Sequence, residues 1–296
     1  MAISSAQIHL RSISLPSRLH PNATKLEAEL HKLKTQEILK KADCITSEGI
    51  QSGLLGLAEL YNCVEELMQS PTTQKSLVQH DQGGKIVEES LESSVELLDS
   101  CGTIRELVVM IKEQVQDLQS ALRRKGQDSS IQNDTNKYFS FRKKINKSIA
   151  KSLKKLKHIE SKNGATLADN HNLSMAIQML REVTNYAISI LRSLLVFLSW
   201  PAASSMGGWS FVSKIKSVAS HRNDDFLSEV GSVDFALNSL NLRIKNNDSK
   251  AVDVQMACRK LQKLDASIEG FEAGLERLFR QMLQNRVTLL NILTDH

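Results

Sequence analysis

The chain has 296 residues, of which 41% are hydrophobic and 24% are charged, with only 4 prolines and 4% aromatic residues. This composition is typical of a folded protein, and the scarcity of proline and aromatic residues argues against a β-sandwich or barrel. The formal net charge is only +5, so the overall charge excludes no class of partner. We therefore expect an all-α protein, a multi-helix bundle of about seven to nine helices.

The first 23 residues are rich in serine and contain Arg11 and Arg18, whereas the first acidic residue is Glu27. The segment lacks the continuous apolar run of a secretory signal. Its composition predicts a disordered tail over residues 1–23, and an organelle transit peptide stays open as the alternative. Within this tail, Arg11 and Ser14 fit a loose pattern for basophilic kinases, so Ser14 is a candidate phosphorylation site.

Helical periodicity accounts for most of the chain after this tail. Thr24 and Glu27 have the spacing of a capping box, which predicts that the first helix begins there. The predicted helices cover residues 24–41, 46–69, 72–80, 85–124, 134–161, 169–199, 224–245 and 249–293, and a short one begins at Trp209. Near the start of the second helix, Gly49, Gly53 and Gly56 either weaken it or let a neighbouring helix approach closely.

Residues 123–162 carry thirteen lysines and arginines against three acidic residues, a net charge of +10. Within 137–157, apolar residues recur at steps of three or four, so this helix has an apolar stripe and a basic remaining surface. The candidate residues for binding an anionic surface are Arg142, Lys143, Lys144, Lys147, Lys151, Lys154, Lys155 and Lys157. Each such charge near an anionic membrane contributes on the order of 1 kcal/mol.

Two other interpretations of this basic helix stay open, and a third, nucleic-acid binding, is disfavoured. It fits an ordinary bundle helix with a lysine-rich outer face, and it also fits a helix recognised by a calmodulin-like partner. Nucleic acid is not expected as a partner, because arginines are few and the aromatic residues cluster at 138–141 instead of alternating with the charges.

Residues 200–208 (WPAASSMGG) predict a loop, and it is a possible hinge between subdomains of one helical domain spanning 24–296. The best candidate for a membrane span is the charge-free run 193–213, but it contains Pro201, two glycines and several serines. The apolar part before it, 186–200, contains Arg192. A transmembrane helix needs roughly 20 mainly apolar residues, so we expect none here.

The last predicted helix has an almost unbroken heptad pattern. Apolar residues alternate at steps of three and four from Val254 to Ile292, and only Asn285 interrupts them. The candidate helix-packing seam consists of Leu261, Leu264, Ile268, Phe271, Leu275, Leu278 and Met282. The flanking positions carry few complementary charges and include Phe279, which widens the apolar stripe. We therefore expect packing within the chain's own bundle, and a homo-oligomer is the disfavoured alternative.

The sequence contains no recognised catalytic motif. Gly83-Gly84-Lys85 lacks the remaining residues of a phosphate-binding loop, and the eight histidines are not spaced as metal ligands on a helix. The four cysteines (Cys44, Cys63, Cys101 and Cys258) are far apart in the chain and are expected to be reduced and buried, as in a cytoplasmic protein. We therefore expect no enzyme activity, no cofactor and no metal site.

Four segments together resemble a plant-specific family of unknown biochemical function, which is related to the BYPASS root-to-shoot signalling proteins. They are HLRSISLPSR (9–18) with His20-Pro21, GLLGLAELYNCVEEL (53–67), EQVQDLQSALRR (113–124), and LLVFLS (194–199) with WSFVSK (209–214). The resemblance spans nearly the whole chain. It implies a helical plant protein without known catalysis, whose relatives are linked to root and shoot development, and it supplies no site residues.

The sequence as a whole predicts a non-enzymatic helical interaction or regulatory protein of plants, in root and shoot development. Its expected partners are proteins, and its expected location is the cytoplasm. The alternative is a peripheral membrane or lipid-signalling regulator that docks on an anionic membrane surface through the basic amphipathic helix 137–157.

Overall fold

A computed structural model describes residues 21–41, 46–79, 83–125, 130–165, 175–199, 228–246 and 251–294. In these ranges the chain forms 8 helices and no strands, which confirms the all-α prediction. The helices are α1 (Pro21–Lys41), α2 (Ser47–Met68), α3 (Pro71–Gln79), α4 (Gly83–Lys125), α5 (Ile131–Ala165), α6 (Met175–Ser199), α7 (Glu229–Asn246) and α8 (Ala251–Thr294). Among these eight helices, none combines the length and the apolar character needed to cross a membrane.

The helix starts follow local sequence, with one correction. The helix α1 begins at Pro21, so Thr24 lies inside its first turn and the predicted capping box is wrong. Proline suits this position because the first turn of a helix needs no N–H donor. The helix α2 starts as predicted, because Thr46 has an extended backbone and its side chain accepts a hydrogen bond from the Gly49 N–H at 3.1 Å.

Several predictions fall outside the described residues. They concern the tail up to residue 20, the candidate phosphorylation site Ser14, Cys44, the loop at 200–208 and the short helix from Trp209.

Five helices form a closed ring of neighbours in the order α2, α6, α5, α4 and α8. The helix α8 runs antiparallel to α4, since Lys112 Nζ lies 2.7 Å from Glu272 Oε2 and, nearer the other end of α8, Arg286 donates to Ser94 at 3.1 Å. Around this ring, α1 packs on α2 and α6, α3 packs on α4 and α2, and α7 packs on α8 and α5.

The heptad seam of α8 lies at the centre of this arrangement. All seven predicted members, from Leu261 to Met282, are buried, and Met282 is the most exposed of them at 4%. Phe271 meets Phe197 of α6 edge to face, with ring centroids 5.3 Å apart. Burying each such side chain contributes about 1.5–3 kcal/mol. The seam is therefore occupied by the chain's own helices.

Two glycines of α2 lie where other helices cross it closely. A Cβ atom on Gly53 would lie 2.6 Å from Ile190 Cδ1 of α6, and one on Gly56 would lie 2.6 Å from Leu33 Cδ2 of α1. Of the two interpretations of these glycines, close approach of a neighbouring helix is therefore the one that the structure supports.

Candidate functional site

Seven lysines form a continuous exposed surface on α5. We call it the lysine face, and its members are Lys143, Lys144, Lys147, Lys151, Lys154, Lys155 and Lys157. Residues 143–157 contain no acidic residue, and in an α-helix they span roughly 21 Å. None of the seven lysines forms an ion pair within the described ranges, whereas Lys137 and Lys162 on the same helix do. The face is thus a short, rigid row of uncompensated positive charge.

The apolar side of α5 faces the protein core. Ile145, Ile149 and Leu156 are at most 2% exposed, and Phe141 and Leu153 pack partly buried against the same core. A helix that inserts into a membrane or into a calmodulin-like groove must present its apolar side to the partner. In the folded chain that side is occupied, so α5 offers a partner only its charges.

Arg142 does not belong to the lysine face. Its side chain is 2% exposed, its Nη1 donates to the Leu198 carbonyl at 2.8 Å, and its Nη2 lies 3.5 Å from Asp234 Oδ2. The Tyr138 hydroxyl donates to the other oxygen of Asp234 at 3.1 Å. The prediction that Arg142 binds an anionic surface is therefore wrong, because its charge is used inside the protein.

The buried positions of α5 follow a heptad pattern that includes polar residues. In order they are Ile131, Thr135, Tyr138, Arg142, Ile145, Ile149, Ser152, Leu156, Ile159 and Asn163, at strictly alternating steps of four and three. Four of these ten positions are polar, so a search for apolar residues alone misses them. The spacing of Arg142 from Tyr138 and Ile145 was the one sequence signal that could have placed it inside.

Polar contacts hold α7 against α5. Thr135 donates to Asn241 at 2.7 Å, and Asp234 accepts from Tyr138 and Arg142. Burial raises the pKa of Asp234 above its ordinary value, although the Arg142 guanidinium and the Tyr138 hydroxyl oppose that rise. Burial also raises the pKa of Tyr138 well above its ordinary value. The tyrosine therefore keeps its proton at neutral pH and acts as a fixed donor.

The described cysteines are poor nucleophiles. Cys63 and Cys101 are buried, Cys258 is partly buried, and all three are free thiols. Burial raises the pKa of each thiol, that of Cys101 to about 12. Because the thiolate is the reactive form, a raised pKa keeps these thiols protonated at neutral pH and lowers their reactivity. In the part of the chain that the structure describes, no group of His, Cys, Asp and Glu could hold a metal ion.

Comparison with known proteins places these features in a family. The model of the family described as Protein BPS1 matches residues 53–292, which include the lysine face and the helices α3 to α7 in full. The match confirms the resemblance to the BYPASS-related plant family. No curated protein and no solved structure matches the chain.

Proposed function

The chain belongs to the Protein BPS1 family, and from that premise we propose that it is a non-enzymatic interaction protein acting in the root and shoot development of plants. Membership of the family suggests a plant regulatory protein in development. The raised thiol pKa values and the use of buried polar residues in helix packing support binding over catalysis as its activity. We propose the cytoplasm as its location, where such thiols stay reduced.

We assign partner binding to the lysine face, because its positive charge is not compensated by carboxylates within the described ranges. A buried ion pair and the core hold α5 in place, so its lysines are presented without a prior conformational change. Like charges held close together favour an acidic partner surface, which accelerates encounter and selects the orientation of docking. The leading partner is accordingly an acidic surface of another protein.

An anionic membrane is the second candidate partner. The observation that favours it is the residue type, because all seven charges are lysines and none is an arginine suited to bidentate recognition of a particular group. At about 1 kcal/mol per lysine near an anionic bilayer, the row is strong enough for reversible adsorption. With the apolar side of α5 in the core, such binding would be purely electrostatic and would weaken with salt.

The test compares two variants that lose the same charge. The lysine-face variant replaces Lys147, Lys151, Lys154 and Lys155 by Gln. The matched control replaces four exposed basic residues on other helices by Gln, and these are Lys75, Arg123, Arg259 and Arg280. Each purified protein is floated with vesicles containing phosphatidylserine at low and at high salt, and each is also co-purified with its partners from plant tissue.

Three outcomes separate the candidates. Flotation at low salt that fails at high salt, and fails in the lysine-face variant but not in the control, supports the membrane. A partner with an acidic surface that is lost only from the lysine-face variant, without flotation of any protein, supports protein docking. If the lysine-face variant behaves like the control in both assays, the lysines are an ordinary solvated surface and the assignment fails.

A further inference from the structure

A cavity of about 250 Å³ with a mixed polar and apolar lining lies between α2, α4, α5, α6 and α8. Asn163, Arg181 and Asn285 line it with buried side chains, whereas the side chains of Glu92 and Lys162 are 69% and 45% exposed. The cavity therefore has a buried floor and an exposed rim. The cavity is large enough for several water molecules or for one small organic molecule.

Two arginines of the described helices line this cavity. Arg286 donates to the Leu91 carbonyl at 2.7 Å and to the Ser94 hydroxyl at 3.1 Å, and it pairs with no carboxylate in the described helices. Arg181 is 7% exposed, and its ion pair with Glu89 is long, at 3.9 Å. A guanidinium shielded from water gains most from a short, charge-assisted hydrogen bond. The cavity thus favours an anionic group.

A buried acceptor and several hydroxyls line the same cavity. The Asn285 side-chain nitrogen donates to the Tyr61 carbonyl at 2.8 Å and to the Gln281 carbonyl at 3.0 Å. Its Oδ1 is buried and accepts no hydrogen bond from the described residues. Leaving such an acceptor unsatisfied costs about 1–3 kcal/mol. A hydroxyl on a bound molecule would supply the missing donor, and Ser93 and Thr184 are residues of the same lining.

We propose that this cavity is a binding site for a small hydroxylated monocarboxylate. Lys162 pairs with Glu92 and Glu96, and Arg181 pairs with Glu89. Among the described lining residues, this leaves Arg286 to meet a single negative charge. A phosphate group, with a charge of about −1.5 to −2 at neutral pH, is less well matched. The carboxylate would meet the arginines, and a ligand hydroxyl would donate to Asn285.

The experiment measures the melting temperature of the full chain with millimolar probes that separate the two parts of the proposal. Quinate, shikimate and gluconate carry a carboxylate and hydroxyls. The control myo-inositol carries hydroxyls without charge, and cyclohexanecarboxylate carries the charge without hydroxyls. Because a ligand that binds only the folded state stabilises it, at least one hydroxylated carboxylate should raise the melting temperature more than both controls do.

Three variants locate the binding. Arg286→Gln removes the charge, and Ser93→Phe fills the cavity at a residue for which no hydrogen bond is recorded. Arg280→Gln is the matched control, on the same helix with a 74% exposed side chain. The shift should vanish in the first two variants and persist in the third. The proposal is overturned if no hydroxylated carboxylate exceeds the controls, or if the shift survives in a folded Arg286→Gln or Ser93→Phe variant.

Discussion

Arg142 and Asp234 form an ion pair on the buried side of the helix that presents the lysine face, with 3.5 Å between Nη2 and Oδ2 and side-chain exposures of 2% and 6%. One helix therefore uses positive charge in two ways. The outer lysines are solvated, and the inner arginine binds α7 through Asp234 and the end of α6 through the Leu198 carbonyl. The pair thus fixes the helix whose outer surface we assign to partner binding.

Substituting only one residue of this ion pair should destabilise the fold strongly. In Arg142→Leu, Asp234 stays buried with only the Tyr138 hydroxyl among its recorded partners. We expect the free energy of unfolding at pH 7 to fall by about 3–5 kcal/mol, since an uncompensated buried charge is left behind. The loss of the arginine raises the pKa of Asp234 further, so stability should recover as the pH falls through that pKa. Chemical denaturation at pH 7 and pH 5 measures both effects.

The double variant Arg142→Leu with Asp234→Leu is the control for this result. Because it removes both charges, its stability should lie closer to that of the wild type than either single variant does. A double variant as unstable as the single ones would show that the pair itself, and not the orphaned charge, stabilises the bundle.

The central seam of α8 should not tolerate a charge. Leu264 is fully buried. Leu264→Asp should therefore lower the free energy of unfolding by several kcal/mol, which is comparable to the total stability of a domain. Leu283 lies on the same helix but is 48% exposed, and Leu283→Asp should change stability by about 0.5 kcal/mol or less. Thermal melts followed by circular dichroism distinguish the two. A cooperative melt of Leu264→Asp near the wild-type temperature would mean that the seam is open to solvent.

The sequence predicts α8 well and α5 only in part, for a physical reason. In α8 the heptad positions from Val254 to Ile292 are buried and, apart from Asn285, apolar, so their spacing alone identifies the side that packs. In α5, Arg142 is the same type of residue as its solvated neighbours, and the partner that buries it, Asp234, is 92 positions away in the chain. Periodicity carries no information about such a distant partner.

Tertiary contacts also explain the end of α5 and the cavity. The helix was predicted to stop at 161, but it continues to Ala165, and Asn163 in its last turn donates to Asn185 of α6 at 2.9 Å. Asn285 interrupts the heptad pattern in the sequence without any sign of what surrounds it. Only the packing of five helices brings it onto one cavity lining with Arg181 and Arg286.

Two glycines in long helices should respond differently to alanine. A Cβ on Gly102 of α4 would find its nearest neighbour at 4.0 Å, whereas a Cβ on Gly274 of α8 would lie 3.0 Å from the Cβ of Leu54. Gly102→Ala should stabilise the protein by about 0.8–1.0 kcal/mol through helix propensity. Gly274→Ala gains the same propensity but forces α8 away from α2, so it should be less stable than Gly102→Ala by about 1–3 kcal/mol. Urea denaturation of both variants measures the difference, and equal stabilities would contradict the close contact.

Cys101 should make the protein sensitive to alkaline pH. Its side chain is fully buried, and burial raises the pKa of the thiol from 9.0 to about 12, although Arg105 opposes the rise. The unfolded chain therefore releases this proton at a lower pH than the folded chain, so the stability present below pH 9.0 is lost as the pH rises toward 12. For one such group the loss between neutral pH and pH 10 is about 1.4 kcal/mol.

The variant Cys101→Ala tests this contribution. Its lost packing lowers the free energy of unfolding equally at pH 7 and pH 10. Because it has no thiol to ionise, its free energy of unfolding should fall between these two pH values by about 1.4 kcal/mol less than that of the wild type. Guanidinium denaturation of both proteins at pH 7 and pH 10 measures it, and identical pH dependence would mean that the thiol ionises as readily in the folded chain as in the unfolded one.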